Sequence, residues 1–304
     1  MKPTERVERL KWRYLDLKNK VVIDLLRIRT QVMKDTEGEP EAIRQAKAFA
    51  AAVRGLPINI YPDELFVGWL FSEPHGSPLM PGQAVGMEPE LDTLSTREHM
   101  PFLIDEETKR QLREEIIPYW RSHIKGAYMP SKADPHFYSN DPAKQGQFRS
   151  VGIESLTHWT GGFDKVVQRG LLGIKQDAEE RLARLDPADP EDFKKLPFVE
   201  GAIIALEAAV EVGQRHAAKA RELAEQESDE QRKAELLKIA ENCDRVPAHP
   251  ATTFYEAVQS VWFLCVLYAW DNEWAWGISP GRADQYLNHS YVKVIEEGRI
   301  TTEE

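Results

Sequence analysis

The sequence lacks the features that mark nucleic-acid-binding and membrane-spanning proteins. Its net charge is −11 over 304 residues, and it contains no run of lysine or arginine. A surface that follows nucleic-acid phosphates needs a basic stripe, so this charge balance disfavours DNA, RNA and anionic membranes as partners. The main apolar run covers only residues 261–270, whereas a transmembrane helix needs about 20 such residues. The N-terminus has no apolar signal-peptide core.

Cysteine and the common cofactor motifs are equally scarce. The two cysteines, Cys243 and Cys265, form no disulfide framework, which indicates a reducing, cytoplasmic setting. Both fall in apolar helical patterns and are predicted to be structural. No C-x-x-C occurs, and no two of the eight histidines lie three to five residues apart, so no classical metal site is indicated. The sequence also lacks a dinucleotide-binding G-x-G-x-x-G and a Walker loop.

One stretch dominates the apolar pattern that is present. Residues 261–270 are unbroken apolar, and four of the eight tryptophans fall between Trp262 and Trp276. A run of this length in a soluble protein predicts a fully buried element. A polar turn containing Gly277 and Gly281 follows it. A buried element that ends in such a turn commonly presents groups to an enclosed pocket.

The N-terminal part of the chain predicts helices followed by short strands. Residues 1–54 show helical spacing that Glu37–Pro40 splits into two helices, the second of which should end at Gly55. Residues 57–70 alternate in the manner of two short strands. Residues 71–90 carry seven glycines and prolines and predict a loop.

Most of the remaining chain is predicted to be helical. Helices are predicted over residues 105–120, 170–185 and 202–226. A further helix should be capped by Ser228, and another should start at a Thr253–Glu256 capping box and run into the apolar stretch. Asp105 should cap the first of these helices and Pro118 should end it. Residues 126–152 show no period, which is typical of a functional or disordered segment. No repeat or domain boundary is evident, so residues 1–304 are read as one unit.

A motif just after the apolar stretch carries a family resemblance. Ile278–Tyr286 reads ISPGRADQY and resembles the isPGRxDQY signature of the glycyl radical enzymes, the pyruvate formate-lyase-like family. Similar blocks occur at residues 36–47, 57–68, 91–102, 112–120 and 232–260. The resemblance implies an α/β fold that is predominantly helical with few strands, corresponding to the N-terminal part of the family's α/β barrel.

The family's chemistry uses a protein glycyl radical, which a radical SAM activating enzyme installs and which passes to a cysteine thiyl. Neither the catalytic cysteine loop nor the glycyl radical loop is found here, and Cys243 and Cys265 match positions that precede the cysteine loop. Residues 300–304 read as the start of a helix with nothing after it. We therefore expect residues 1–304 to be an incomplete N-terminal portion with no catalytic residue, no bound cofactor and no radical chemistry alone.

The resemblance also indicates where a small-molecule substrate would bind. His158 corresponds to the histidine of the family's GHxxxDYEKVL pattern, with Phe163–Val167 similar to its DYEKVL part and Thr157 in place of the usual glycine. The resemblance assigns this histidine to the substrate end of the pocket. Trp276 and Gly277 stand where glycerol-dehydratase-like members have a His–Ser pair that contacts a polyol. Losing two hydrogen-bonding side chains disfavours glycerol or propanediol and favours a bulkier, aromatic or cationic substrate. The alternative is that His158 is structural and that Trp159 and Trp276 fill the core.

Two functions of different classes follow from these patterns. The first is a glycyl radical lyase that cleaves a C–C, C–O, C–N or C–S bond; the acidic residue that the family carries at Val294 is absent, which indicates a divergent subgroup. The second is a non-catalytic binding or assembly subunit, or a decayed fragment, with the same fold. In-frame coding sequence downstream would favour the first and a genuine stop codon the second. Strands from part of a barrel leave unpaired edges, so we expect a homo-oligomer or aggregation.

Overall fold

The computed structural model describes residues 4–123, 158–272 and 277–301, with the backbone alone described at 158, 159, 272 and 277. Its helices are α1 (Glu5–Leu15), α2 (Asp24–Asp35), α3 (Glu41–Gly55), α4 (Pro81–Met87), α5 (Glu106–Gln111), α6 (Ile117–His123), α7 (Phe163–Leu182), α8 (Pro190–Phe193), α9 (Leu196–Gln226), α10 (Glu230–Arg245), α11 (Phe254–Asn272), α12 (Ala283–Tyr286) and α13 (Asn288–Glu296). A π-helical turn joins α5 to α6, and two 3₁₀ turns follow α4.

The described strands form two separate parallel pairs. β1 (Lys20–Val22) pairs with β2 (Gly76–Pro78), and β3 (His158–Thr160) pairs with β4 (Gly277–Ser279). All four strands are three residues long, so helices supply most of the described structure. The predicted α/β fold with predominant helix and few strands is confirmed. Among the described residues, no helix combines the length and apolarity that crossing a bilayer requires.

Two apolar cores hold the helices together. The larger core joins α3, α7, α9, α10 and α11 through fully buried side chains such as Val53, Phe163 and Phe263. The smaller core joins α2 to the α4–α6 region through side chains such as Leu26 and Leu112. Small residues along α9 allow close helix packing: a Cβ on Gly213 would lie 2.4 Å from the Cys243 carbonyl oxygen. Cys243 is 1% exposed, which confirms it as a core residue.

The predicted helical stretch over residues 1–54 is interrupted once more than expected. Lys20–Val22 forms β1, and the Val21 amide donates to the Leu103 carbonyl at 2.8 Å. Its β-branched valines suit a strand, but the hydrogen-bond partners come from the distant His75, Leu103 and β2. The expected helix after Pro40 is confirmed, because α3 runs from Glu41 to Gly55.

No strand forms at residues 57–70, so the predicted hairpin is wrong. The Gln259 side chain of α11 occupies the place of a neighbouring strand: its amide nitrogen donates to the Val67 carbonyl at 2.8 Å, and its oxygen accepts from the Val67 amide at 2.9 Å. Trp262 Nε1 donates to the Gly68 carbonyl at 2.8 Å. Side chains of one helix thereby satisfy the backbone groups that a β-ladder would have paired.

Residues 71–90 are more ordered than the predicted loop, because β2 and α4 both lie within them. Asp105 caps α5 as expected and accepts from the Thr108 amide at 2.7 Å. Pro118 does not end this helix, which continues through α6 to His123. The π-helical turn Leu112–Ile116 precedes the proline. A wider turn there accommodates a residue that has no amide hydrogen and would clash with the carbonyl four residues earlier.

The later helices differ from expectation mainly at their ends. α7 begins at Phe163 and is kinked at Gly170, whose φ is 68°. The cap of α10 is Asp229 and not Ser228, since Asp229 accepts from the Arg232 amide at 2.7 Å. The Thr253–Glu256 capping box at the start of α11 is confirmed by hydrogen bonds of 3.1 and 3.2 Å. Residues 126–152 lie outside the described residues.

Candidate functional site

The strand pair of β3 and β4 joins two sequence segments that are far apart in the chain. In its register His158 lies opposite Gly277, Trp159 opposite Ile278 and Thr160 opposite Ser279. The strands are parallel, so their carboxyl ends meet at one edge, where parallel sheets commonly bind ligands. This pairing brings together the backbones of three of the four predicted site residues.

The packing of two helices brings β3 and β4 together. β3 leads through Gly161 and Gly162 into α7, while α11 precedes β4 in the chain. α7 and α11 pack against each other in the larger core. Phe163 of α7 and Tyr268 of α11 meet edge to face, with ring centroids 6.1 Å apart. The strand pair therefore depends on a helix contact that no local sequence pattern encodes.

The predicted site residues are placed to different extents. His158, Trp159 and Gly277 lie in the strand pair by their backbones. Trp276 lies outside the described residues, immediately before β4. Gly277 has no side chain, so at the position opposite His158 the chain offers only backbone hydrogen-bonding groups.

The turn after β4 is built from Pro280, Gly281 and Arg282. Gly281 has a φ of 65°, and a Cβ there would lie 2.9 Å from the Thr160 methyl carbon of β3. Glycine is therefore required both for the left-handed backbone and for the close approach of β3. The Tyr286 hydroxyl donates to the Pro280 carbonyl at 2.9 Å, which ties the turn to α12.

Arg282 of this turn forms a local ion pair. Its guanidinium donates to both carboxylate oxygens of Asp284, at 2.9 and 2.7 Å. This hydrogen bonding raises the pKa of Arg282 and lowers the pKa of Asp284. Both side chains are exposed, so the pair orients the turn more than it stabilises the fold.

A pocket of about 280 Å³ opens at the carboxyl edge of the strand pair. Its lining residues come from the ends of both strands and from α7 and α12: Thr160, Gly161, Phe163, Asp164, Gln168, Pro280, Gly281, Arg282, Gln285 and Tyr286. A larger cavity of about 800 Å³ lies elsewhere, between β2, α4 and Trp262 of α11. The smaller pocket is the one that adjoins the predicted site residues.

The apolar stretch 261–270 is helical and is not fully buried, which corrects the prediction. Val261, Trp262, Cys265 and Tyr268 are each only half-buried. Their spacing puts them along one side of α11, and we call them the half-buried stripe. Trp262 faces the larger cavity, and Tyr268 approaches the turn after β3. The opposite side of α11 carries fully buried residues such as Phe263.

The cysteines lie within helices, Cys243 in α10 and Cys265 in α11. Burial raises the pKa of both thiols. Among the residues that the structure describes, no group of histidine, cysteine and acidic side chains is arranged to hold a metal ion.

Two residues with clear structural roles were not predicted from the sequence, Gln259 beside Val67 and Tyr268 beside β3. Gln259 is 1% exposed and holds the segment at Val67 against α11. Tyr268 lies against Gly161 after β3. A polar residue in an apolar helix face was the available signal for Gln259. Nothing in the sequence distinguished Tyr268 from its apolar neighbours.

Comparison with known proteins gives one consistent result. The family model "Pyruvate formate lyase-like" matches residues 2–304. Isethionate sulfite-lyase of Desulfovibrio desulfuricans is 35% identical over 97% of this chain and 37% of its own length. The chain thus spans little more than a third of that curated relative.

Solved structures agree with this match. One that concerns 1,2-propanediol dehydration in Roseburia inulinivorans has a TM-score of 0.87 and 32% identity, covering 100% of this chain and 36% of the other. A glycyl radical enzyme from Archaeoglobus fulgidus has a TM-score of 0.85 and 35% identity, covering 98% of this chain and 38% of the other.

Proposed function

Because the chain belongs to the pyruvate formate lyase-like family of glycyl radical enzymes, we propose that it forms one wall of the substrate pocket in a radical lyase. The reaction is cleavage of a C–C, C–O, C–N or C–S bond in a small molecule after hydrogen abstraction. The observation that supports this proposal is the pairing of His158 with Gly277 in the β3–β4 strand pair. That pairing joins two segments which the family resemblance had separately assigned to the substrate.

In this proposal, this chain and the rest of the protein have different roles. The radical glycine, installed by a radical SAM activating enzyme, and the thiyl cysteine belong to other parts of the full-length enzyme. Cys243 and Cys265 do not suit the thiyl role, since both lie within helices and Cys243 is enclosed by the core. This chain binds and orients substrate and is inactive alone.

The site residues have distinct proposed roles. His158 contacts the polar part of the substrate, while Trp159 and Trp276 supply apolar or cation–π faces. Gly277 leaves space and supplies no side-chain hydrogen bond opposite His158. A polyol that needs paired hydrogen-bonding side chains is therefore a poor substrate, and a bulkier, aromatic or cationic molecule is a better one.

The proposed setting is the cytoplasm, with a homo-oligomeric enzyme and the activating enzyme as its partners. Exposed apolar residues are consistent with self-association: Phe193 and Phe198 are 62% and 72% exposed. Phe193 is the last residue of α8 and Phe198 lies in the first turn of α9. Phe198 borders a groove of about 600 Å³ between α3, α7, α9 and α11.

The test is anaerobic activation followed by electron paramagnetic resonance. The full-length protein, incubated with its activating enzyme and S-adenosylmethionine, should give a glycyl radical doublet and then convert substrate. The 304-residue chain under the same conditions should give no doublet, and a doublet from this chain alone would overturn the proposed division of labour. A full-length protein that neither forms the radical nor turns over any substrate would overturn the lyase assignment.

The second candidate is a non-catalytic binding or assembly subunit. It is favoured by one observation, the placement of both cysteines within helices. The downstream coding sequence separates the candidates. An open frame that encodes a cysteine loop and a glycyl radical loop supports the lyase, and a genuine stop codon supports the subunit.

A further inference from the structure

The turn that leaves β3 is packed unusually closely against α11. A Cβ placed on Gly161 would lie 2.4 Å from the Tyr268 hydroxyl oxygen, 2.6 Å from its Cε2 and 2.8 Å from its Cζ. Real Cβ contacts are not this short, so any side chain at position 161 requires the aromatic ring to move. Gly161 is not among the glycines with positive φ. The requirement for glycine here is therefore one of space and not of backbone conformation.

Tyr268 contacts two of the three residues that follow β3, Gly161 and Phe163. It lies against Gly161, and its ring meets Phe163 edge to face. Phe163 is 1% exposed and belongs to the larger core. Tyr268, a half-buried residue of α11, thus holds the backbone just after β3 against the larger core.

The exit of β4 is held against β3 in a related way. Gly281 has a φ of 65°, and a Cβ there would lie 2.9 Å from the Thr160 methyl carbon. Thr160 is the last residue of β3 and directly precedes Gly161. The contacts run from Tyr268 to Gly161, along the chain to Thr160, and across to Gly281. The carboxyl edge of the strand pair is therefore anchored to α11 through β3.

We propose that Tyr268 is a positioning residue that, through its close contacts with Gly161 and Phe163, holds β3 in register beside β4. Its consequence for substrate rests on the proposed function, because only there does the strand pair form a pocket wall. In that setting Tyr268 sets the position of His158 relative to Gly277 without touching the substrate. The family signature covers only Ile278–Tyr286, so it predicts neither the strand pair nor the contact between Tyr268 and Gly161.

The test is a double-mutant cycle read by hydrogen–deuterium exchange on the 304-residue chain. Gly161→Ala should make the amides of residues 158–160 and 277–279 exchange about five- to tenfold faster. The reason is that losing one or two contacts lowers the free energy of local opening. Gly162→Ala is the matched control. Its Cβ would approach nothing closer than a Lys165 side-chain carbon at 3.7 Å, so exchange in the strand pair should stay at the wild-type rate.

The cycle is completed by Tyr268→Leu, alone and combined with Gly161→Ala. Tyr268→Leu alone should also speed exchange of the strand pair, and adding Gly161→Ala should then cause no further increase, because the opposing ring is gone. Equal and additive effects of the two changes would overturn the proposal, as would wild-type exchange in Gly161→Ala.

Tyr268→Phe keeps the test decisive if Gly161→Ala unfolds the chain. It removes only the hydroxyl, whose oxygen is the atom nearest to a Cβ built on Gly161, so exchange should accelerate by about fivefold in the strand pair while α9 and α10 keep their wild-type protection. Loss of protection spread evenly over α9 and α10 would show a general structural role and overturn the positioning role. No substrate enters these measurements, so their failure leaves the proposed function standing, and failure of the radical assay leaves them valid.

Discussion

His158 and Gly277 lie directly opposite each other in the parallel β3–β4 pair. One comes from a segment that follows the undescribed residues 124–157, the other from the end of the apolar helix region. Their pairing brings the two proposed substrate-binding segments to one edge of the strand pair. The register also defines which residue would have to change to alter the polarity opposite His158.

That residue is Gly277, and its substitution tests the proposed substrate preference. In activated full-length enzyme, Gly277→Ser should lower KM for glycerol or 1,2-propanediol by about tenfold, since a new hydrogen bond is worth about 1–1.5 kcal/mol. Product formation measured by chromatography gives KM. Gly173→Ser, on α7 and remote from the strand pair, is the control. An unchanged polyol KM in Gly277→Ser would contradict the role of this position.

Gly170 should be the least replaceable glycine of α7. Its φ is 68°, and a Cβ there would lie 2.3 Å from the Ala248 carbonyl oxygen, which is backbone and has little freedom to move. The kink also frees the Leu171 amide to donate to the Pro247 carbonyl at 2.9 Å. We expect Gly170→Ala to lower the free energy of unfolding by about 3 kcal/mol or more, measured by urea denaturation.

The matched control for this change is Gly173→Ala in the same helix. Its Cβ would meet only the Arg169 side chain, at 3.4 Å, and alanine is the better helix former by about 1 kcal/mol. Gly173→Ala should therefore be neutral or stabilising. Equal losses from the two substitutions would show that the kink at Gly170 is not required.

His216 should make the fold sensitive to acid. It is 1% exposed in α9, and its Nδ1 donates to the Val212 carbonyl at 2.7 Å. Burial lowers the pKa of His216 to about 4 from 6.5. The unfolded chain takes up this proton first, so the free energy of unfolding should fall as pH drops from about 6.5 to about 4, by about 3 kcal/mol in total.

His216→Gln removes this titration while keeping a group that can donate to Val212. The variant should lose clearly less stability than the wild type between pH 6.5 and pH 4.5 in urea titrations. His289→Gln, a change of the same kind at an exposed position, is the control. Identical pH profiles for wild type and His216→Gln would rule out this origin of acid sensitivity.

Glu64 should give the fold a pH dependence opposite to that of His216, with stability falling as pH rises. It is 8% exposed and accepts hydrogen bonds from the Tyr61 amide at 2.9 Å and from Trp69 Nε1 at 3.0 Å. Burial nevertheless raises the pKa of Glu64 to about 7 from 4.5. The unfolded chain loses this proton first, so stability should fall as pH rises from about 4.5 to about 7, again by about 3 kcal/mol.

Glu64→Gln should flatten that part of the profile. Glutamine stays neutral and can accept from only one of the two donors, so a constant loss of about 1 kcal/mol is expected at low pH. Above pH 7 the variant should match or exceed the wild type. Glu225→Gln, at an exposed position of α9, should change neither end. A variant that is less stable than the wild type by the same amount at every pH would contradict the prediction.

Self-association of the 304-residue chain is the last prediction. Phe198 is 72% exposed beside the apolar groove between α3, α7, α9 and α11, and large exposed apolar patches favour association. Light scattering should report a mass above 34.8 kDa, and Phe198→Ser should shift it toward that value. A monodisperse monomer of the wild type would contradict the expectation.

The sequence by itself determined the fold class and the local signals that act within a few residues. The helix that starts after Pro40, the Asp105 cap and the Thr253–Glu256 capping box all form as the residues predict. These features depend on neighbouring backbone and side-chain groups, which the sequence places together regardless of the fold.

The tertiary structure alone decided where extended segments found their partners. Residues 57–70 have a strand-like pattern, yet the Gln259 side chain takes up the backbone groups of Val67 and no ladder forms. The predicted site residue His158 lies in a strand only because Gly277 pairs with it. A backbone amide must be satisfied by some partner, and which partner comes within reach is fixed by the packing of α11 on α7 and not by local sequence.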